Sequence, residues 1–239
     1  MPRRTGYGPG TPCWTDCVTT DLKGAQDFYA GLFGWEYEDE GPGYRIVSLR
    51  GEIIGGIGRS PGGPAGSAWN VYLATKDAEV TRARVLAEGG RVVMGPVSVA
   101  DNGRLFLAVD PAGAPVGFWE GRRAEGVVLA DEPGAVCGTL LSVHRDAQAE
   151  QFYGALYGYT ADRVAHGRTT LTLGGVPYAE LVADPSVSPH WMPLFGAADP
   201  TTTVRAALAA GASLVTRPGG GTVLRDPWGA VFGLVEPGR

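Results

Sequence analysis

Between Trp14 and Thr19 the chain alternates, with Trp14, Asp16 and Val18 sharing one side and Thr15, Cys17 and Thr19 the other. That period of two predicts a half-covered strand. Asp21 follows where a side-chain oxygen can accept from the free N–H groups of a helical first turn. Ala25, Phe28, Tyr29 and Leu32 then recur at helical spacing, and Gly34 ends the helix. Trp35 to Glu38 reads as a short strand, and Tyr44 to Leu49 with Ile53 to Arg59 as a hairpin across Arg50-Gly51-Glu52. The unit is β-α-β-β-β. After a Pro/Gly-rich linker, Ser60 to Gly66, the order repeats. A strand is predicted at Ala68 to Thr75 and a helix at Asp77 to Glu88, with Val80, Ala83 and Leu86 on one face. Strands at Arg91 to Met94, Arg104 to Val109 and Pro115 to Trp119 complete the second unit, the Asn102-Gly103 pair marking a hairpin turn.

The stretch Gly121 to Pro133 breaks this regularity, and beyond it the sequence echoes itself at a lag of roughly 120 residues. Phe28-Tyr29-Ala30-Gly31-Leu32-Phe33-Gly34-Trp35 returns as Phe152-Tyr153-Gly154-Ala155-Leu156-Tyr157-Gly158-Tyr159. Leu86-Ala87-Glu88-Gly89 returns as Leu208-Ala209-Ala210-Gly211, Gly95-Pro96 as Arg217-Pro218, and Asp110-Pro111-Ala112-Gly113 as Asp226-Pro227-Trp228-Gly229. Two domains are expected, residues 1–123 and 124–239. The first holds modules at 10–60 and 67–121, the second at 135–184 and 189–237.

A strand leading into Asp-Leu and then Phe-Tyr, a Leu-Phe-Gly-Trp helix exit, an Ala-Glu-Gly-Gly helix end and an Asp-Pro-x-Gly turn before the last strand resemble the vicinal oxygen chelate superfamily. This group comprises glyoxalases, bleomycin-binding resistance proteins, fosfomycin-modifying enzymes and extradiol dioxygenases. The chain looks most like the two-domain glyoxalase-like proteins of actinobacteria. The resemblance implies an α+β fold in which four β-α-β-β-β modules form two half-open eight-stranded cups, built from neighbouring or from swapped modules.

The resemblance also implies a divalent metal held by His, Gln or Glu on the first strands of paired modules and by a Glu on a last strand. Such ligands bind the ion while leaving positions open for substrate oxygens. Counted from the shared motifs, those positions fall on Trp14, Asn70 and Gly117 in the first half and on Gly138, Met192 and Gly233 in the second. None is a usual ligand, and an indole has no lone pair to give. His144, His166 and His190 all lie in the second half without a partner at ligand spacing. No metal and no cofactor is therefore expected, and glyoxalase, fosfomycin-transferase and extradiol dioxygenase chemistry is disfavoured.

Composition narrows the partners. With Lys+Arg 20 against Asp+Glu 25, a net charge of −5 and no dense basic cluster, a nucleic-acid footprint is not expected. Met1 to Gly10 lacks the apolar centre of a secretion signal, and no run approaches the roughly 20 apolar residues of a membrane span, so a cytoplasmic protein, monomer or homodimer, is expected. Cys13, Cys17 and Cys137 are an odd count without metal-ligand spacing and read as buried thiols. No nucleophile elbow, P-loop or dinucleotide fingerprint occurs.

What is left is the inward parity of the lost ligand positions: Trp14 and Asp16, Asn70 and Tyr72, Gly117 and Trp119, with Tyr44 on the hairpin. They would line a pocket with flat aromatic walls suited to a hydrophobic or aromatic small molecule. Alternatively, Trp14 and Trp119 fill the space. The leading expectation is metal-independent binding or sequestration of such a molecule, as in antibiotic self-resistance. A second is a metal-independent hydroxylase-, lyase- or isomerase-like enzyme of secondary metabolism, with Asp16 as general base and Tyr72 or Arg45 polarising a carbonyl. A third is a scaffold without ligand. Glu52 is expected as a solvated turn residue, with Arg104 and His190 as further polar candidates. In the second half the matching set, Gly138, Leu140, Met192, Leu194, Gly233 and Val235, predicts a greasy or collapsed cup.

Overall fold

A computed structural model of the chain describes residues 3–60, 66–164, 167–216 and 221–238. The first module is β1 (Pro12–Thr19), α1 (Leu22–Phe33), β2 (Glu36–Asp39), β3 (Tyr44–Leu49) and β4 (Glu52–Arg59). The second is β5 (Ala68–Ala74), α2 (Ala78–Ala87), β6 (Arg91–Val99), β7 (Gly103–Val109) and β8 (Pro115–Gly121). The third runs β9 (Val136–Val143), α3 (Asp146–Tyr157), β10 (Thr160–Arg163), β11 (Arg168–Leu173) and β12 (Val176–Ala183). The fourth runs β13 (His190–Gly196), α4 (Pro200–Ala209), β14 (Ser213–Leu214), β15 (Thr222–Arg225) and β16 (Val231–Val235). Most of the linker, at 61–65, as well as His166 and Arg217-Pro218, lie outside the described residues.

Local chemistry sets these boundaries. Asp21 caps α1 by accepting from the Gly24 N–H at 3.0 Å, and Gly34 closes it in the left-handed conformation. Asp77 caps α2 in the same way, accepting from Glu79 and Val80. The hairpin between β3 and β4 turns on Arg50 and Gly51, both at positive φ, as a two-residue turn requires. Two expectations need correction. Glu52 is the first residue of β4, with its carboxylate against Arg3, so it is not a free turn residue. Strand β6 does not stop at Met94, because a register shift between Met94 and Val97 absorbs Gly95-Pro96 and pairing with β7 continues to Val99.

Two open eight-stranded mixed sheets result, in the orders β2-β3-β4-β1-β5-β8-β7-β6 and β10-β11-β12-β9-β13-β16-β15-β14. Strands β1 and β5 pair antiparallel at the centre of the first sheet, so each cup is built from neighbouring modules. The outer faces pack against each other. The first module meets the fourth in one core, with Tyr29, Trp35, Phe195 and Phe232 in contact and Trp69 of the second module among them, and the second meets the third around Phe106, Phe118, Phe152 and Tyr153, with Trp191 of the fourth beside them. Among the described residues no helix is long and apolar enough to cross a membrane.

The repeated motifs turn out to be partners across this seam. Tyr29 of α1 donates to Asp226 at 2.9 Å and accepts from the Trp69 indole at 2.9 Å. Tyr153 of α3 donates to Asp110 at 2.9 Å and accepts from Trp191 at 2.8 Å. Trp35 donates to the Gly134 carbonyl, and Tyr159, its counterpart, to the Gly10 carbonyl, both at 2.7 Å. Each half thus satisfies the other's buried polar groups, as burial demands.

Candidate small-molecule site

The inner face of the first cup encloses a cavity of about 340 Å³. Alternation brings the expected Trp14 and Asp16 on β1, Tyr72 on β5, Tyr44 on β3 and Trp119 on β8 to it, whereas Asn70 stands behind Asp16, to which it donates, and Gly117 lies under the Tyr72 ring, so neither lines the cavity. In register Trp14 faces Tyr72 and Asp16 faces Asn70 across the central pair. Trp14, Asp16, Tyr44, Tyr72 and Trp119 line the cavity, together with Ile46, Val99 and Leu105.

Glycines hold the rings flat. Gly56 and Gly58 on β4 lie beneath Tyr44, and a Cβ at Gly58 would come 2.8 Å from the ring's Cδ2. Gly117 lies beneath Tyr72, where an added Cβ would sit 2.5 Å from Cε1 and 2.6 Å from Cγ. Gly103 lies beneath Trp119, with Cζ2 2.7 Å from its would-be Cβ. Side chains here would push the aromatics into the cup, so the missing Cβ atoms create the room.

Asp16 is the polar centre, 7% exposed. The Asn70 amide donates to its Oδ1 at 2.8 Å, and the Tyr72 and Tyr44 hydroxyls donate to its Oδ2 at 3.1 and 3.2 Å. The Trp14 indole donates to the Tyr44 hydroxyl at 3.3 Å, and that of Trp119 to the Ala124 carbonyl at 2.7 Å. Burial raises the Asp16 carboxyl above the usual carboxylate range, and the three donated hydrogen bonds pull the other way. Burial and then the Asp16 charge push the Tyr44 and Tyr72 hydroxyls up, so both stay protonated.

Arg45 does not join this group. Its guanidinium donates to the Asp39 carboxylate at 3.0 Å and the Tyr44 carbonyl at 2.8 Å, because neighbouring positions on a strand face opposite ways. Arg104 pairs with Glu79 at 2.9 Å, and His190 contacts the Ser188 carbonyl at 2.8 Å, away from the cavity. Glu40, Asn102, Ala124 and Gly126 also line the cup. They sit in connections, where no periodicity announces them, whereas Ile46 shares the parity of Tyr44 and was open to the same reasoning.

The donor set does not suit a metal. At the first-half ligand positions the Trp14 and Asn70 nitrogens act as hydrogen-bond donors and the Tyr72 ring covers Gly117. In the second cup Leu194 packs over Gly138 and Gly233 within an aliphatic cluster with Leu140, Val182, Met192 and Val223. Among the described residues no three His, Cys, Asp or Glu side chains are placed to hold an ion.

Comparison with known proteins settles the ancestry. The protein CFP32 of Mycobacterium tuberculosis, which carries a provisional glyoxylase name, is 34% identical over 257 residues, covering 99% of this chain and 98% of its own. The chain belongs to the glyoxalase-like family of the vicinal oxygen chelate superfamily. The family model for a glyoxalase-like domain matches residues 139–235, in the half that carries the aliphatic cluster. Anthracycline biosynthesis protein DnrV of Streptomyces peucetius is 35% identical over 261 residues, covering 97% of this chain and 95% of its own. Among solved structures, the Mn(II)-bound glyoxalase of Novosphingobium aromaticivorans superposes with a TM-score of 0.67 at 16% identity, over 95% of this chain and 82% of that one. Homoprotocatechuate 2,3-dioxygenase of B. fuscum gives 0.66 at 16% identity, over 99% and 74%. At such identities these structures speak for the glyoxalase-like fold alone.

Proposed function

We propose that the first cup binds a planar aromatic small molecule of secondary metabolism without a metal ion. The observation that carries this reading is the convergence of Trp14, Tyr44, Tyr72 and Trp119 on one cavity with a single buried carboxyl at its floor. Aromatic walls recognise flat conjugated rings through stacking and edge contacts, and the polar floor fixes orientation. The volume of about 340 Å³ accommodates a small fused-ring system at the lower end of the roughly 300–1,000 Å³ of ligand pockets. The names of DnrV and of DauV of Streptomyces sp., which refer to anthracycline biosynthesis, point to a fused-ring quinone of that class. Sequestration of such a compound, as in self-resistance, needs only this cup.

The acid–base alternative rests on the burial of Asp16. It is weakened by Arg45, which is on the wrong side of β3, and by Tyr72, whose proton is already given to Asp16. Titration calorimetry of the chelator-treated protein against hydroxyanthraquinones and aliphatic compounds of equal size is the test. Selective binding of the ring compounds, weakened at least tenfold by Trp14→Ala or Trp119→Ala, is expected. Failure of every aromatic to bind, or binding that returns only on adding a divalent metal, would refute the reading.

A further inference from the structure

The first cup is one-sided in charge. Two carboxylates line it, Asp16 at the floor and the exposed Glu40 at the rim, and no Lys, Arg or His is among the lining residues. The nearby Arg45 is tied to Asp39 on the opposite side of its strand. The donors of the aromatic walls are spent: the Trp14 indole on Tyr44, the Trp119 indole on Ala124, and the Tyr44 and Tyr72 hydroxyls on Asp16, which leaves the neutral amide of Asn102 as a side-chain donor among the lining residues.

The unspent capacity of Asp16 and the phenols is that of acceptors. A carboxylate offers about four lone-pair sites, and the bonds from Asn70, Tyr72 and Tyr44 use three of them, leaving room on Oδ1. The Tyr72 oxygen also keeps an acceptor position, since its hydrogen bond to Asp16 uses only its proton. Aromatic faces add an attraction of their own for cations, strongest over indole and stronger out of water.

We propose that the ligand of the first cup is an aromatic compound carrying a protonated amine, which the cup selects over neutral and anionic counterparts through Asp16, Glu40 and the indole and phenol faces. This rests on the aromatic-ligand reading of the same cup and adds the charge of the ligand to it. A carboxylate-bearing analogue would bring a third negative charge into a cavity without a cation to meet it, with only a neutral amide, that of Asn102, among the lining side chains to donate to it.

Three anthraquinones that differ only in one short side chain, ending in a primary amine, a hydroxyl or a carboxylate, separate the possibilities by calorimetry at neutral pH. The amine is expected to bind at least tenfold more tightly than the alcohol and the carboxylate more weakly than either. The amine-to-alcohol ratio is expected to fall several-fold in Glu40→Gln, whose exposed position spares the fold, and toward one in Asp16→Asn/Glu40→Gln. Equal binding of all three, or a ratio that survives in the Glu40→Gln protein and in a double variant verified as folded by its near-ultraviolet dichroism, overturns the charge preference while leaving the aromatic site standing. Binding of none of the three overturns both.

Discussion

Replacing Gly117 by Ala tests whether the missing side chains under the aromatic walls make the cavity. The new Cβ would stand 2.5 Å from Cε1 and 2.6 Å from Cγ of Tyr72. Carbon atoms rest at about 3.5–4.0 Å, so the ring must lift by about 1 Å or more. The Tyr72 hydroxyl, 3.1 Å from Asp16 Oδ2, would then pass beyond hydrogen-bonding range. Overpacking costs about 1–3 kcal/mol, and a hydrogen bond to a carboxylate contributes about 1.5–3 kcal/mol. One displacement causes both losses, and together they come to about 2.5–6 kcal/mol. For a chain of this size that lowers the melting temperature by about 5–24 °C. Urea unfolding supplies the free energy, and Tyr72→Phe supplies the reference, since it deletes the hydroxyl and leaves the ring on its glycine. Gly117→Ala must be the more damaging of the two, and must weaken binding of the aromatic ligand more. If it costs no more than Tyr72→Phe, the glycine is not what seats the ring, and the account of the cup is wrong.

Tyr29→Phe and Tyr153→Phe should each remove about 1.5–3 kcal/mol, since each strands a buried Asp and a Trp indole at the seam; a loss from one variant and none from the other, by denaturant unfolding, would contradict their equivalence. Burial raises Asp16 above its unfolded value of 3.8, so between those two pKa values the folded state holds a proton that the unfolded state has released, and stability falls as pH rises through that window. Asp16→Asn, in which Asn70 can turn its amide to restore the hydrogen bonds, should therefore gain on the wild type as pH rises from 3.8 and level off once the folded carboxyl has ionised. A difference between the two proteins that stays constant across that range would refute the assignment.

The sequence carried the strand, the capped helix and the repeat of β1 and α1 because these rest on local signals: alternation, an Asp cap, a closing glycine. Parity, counted from the ligand positions that the family resemblance implies, also placed Trp14, Asp16, Tyr72 and Trp119 on one side, and the cavity contains all four. The same parity, applied to Tyr44 and Arg45, would have shown that adjacent residues cannot both face Asp16. Other parts were beyond local reading. The choice of neighbouring over swapped modules is decided by pairing between β1 and β5, tens of residues apart, and with it the meeting of Asp16 with Asn70. Glu40 and Ala124 enter the cup from connections whose path depends on the finished sheets. The role of Gly56, Gly58 and Gly117 as seats for rings appears only once the strands that carry those rings lie beside them.

The paired Tyr–Asp contacts at the seam bear on how the two halves were free to change. Phe-Tyr and Asp-Pro-x-Gly recur because each copy looks outward into the opposite half, so an alteration in one must be tolerated by a partner nearly two hundred positions away, as between Tyr29 and Asp226. The cups carry no such mutual obligation. One is walled by aromatic rings, while its twin packs Leu194 over two glycines among aliphatic side chains. The internal echo is therefore a record of the joint between the halves, and the place to look for a new activity is wherever that echo fades.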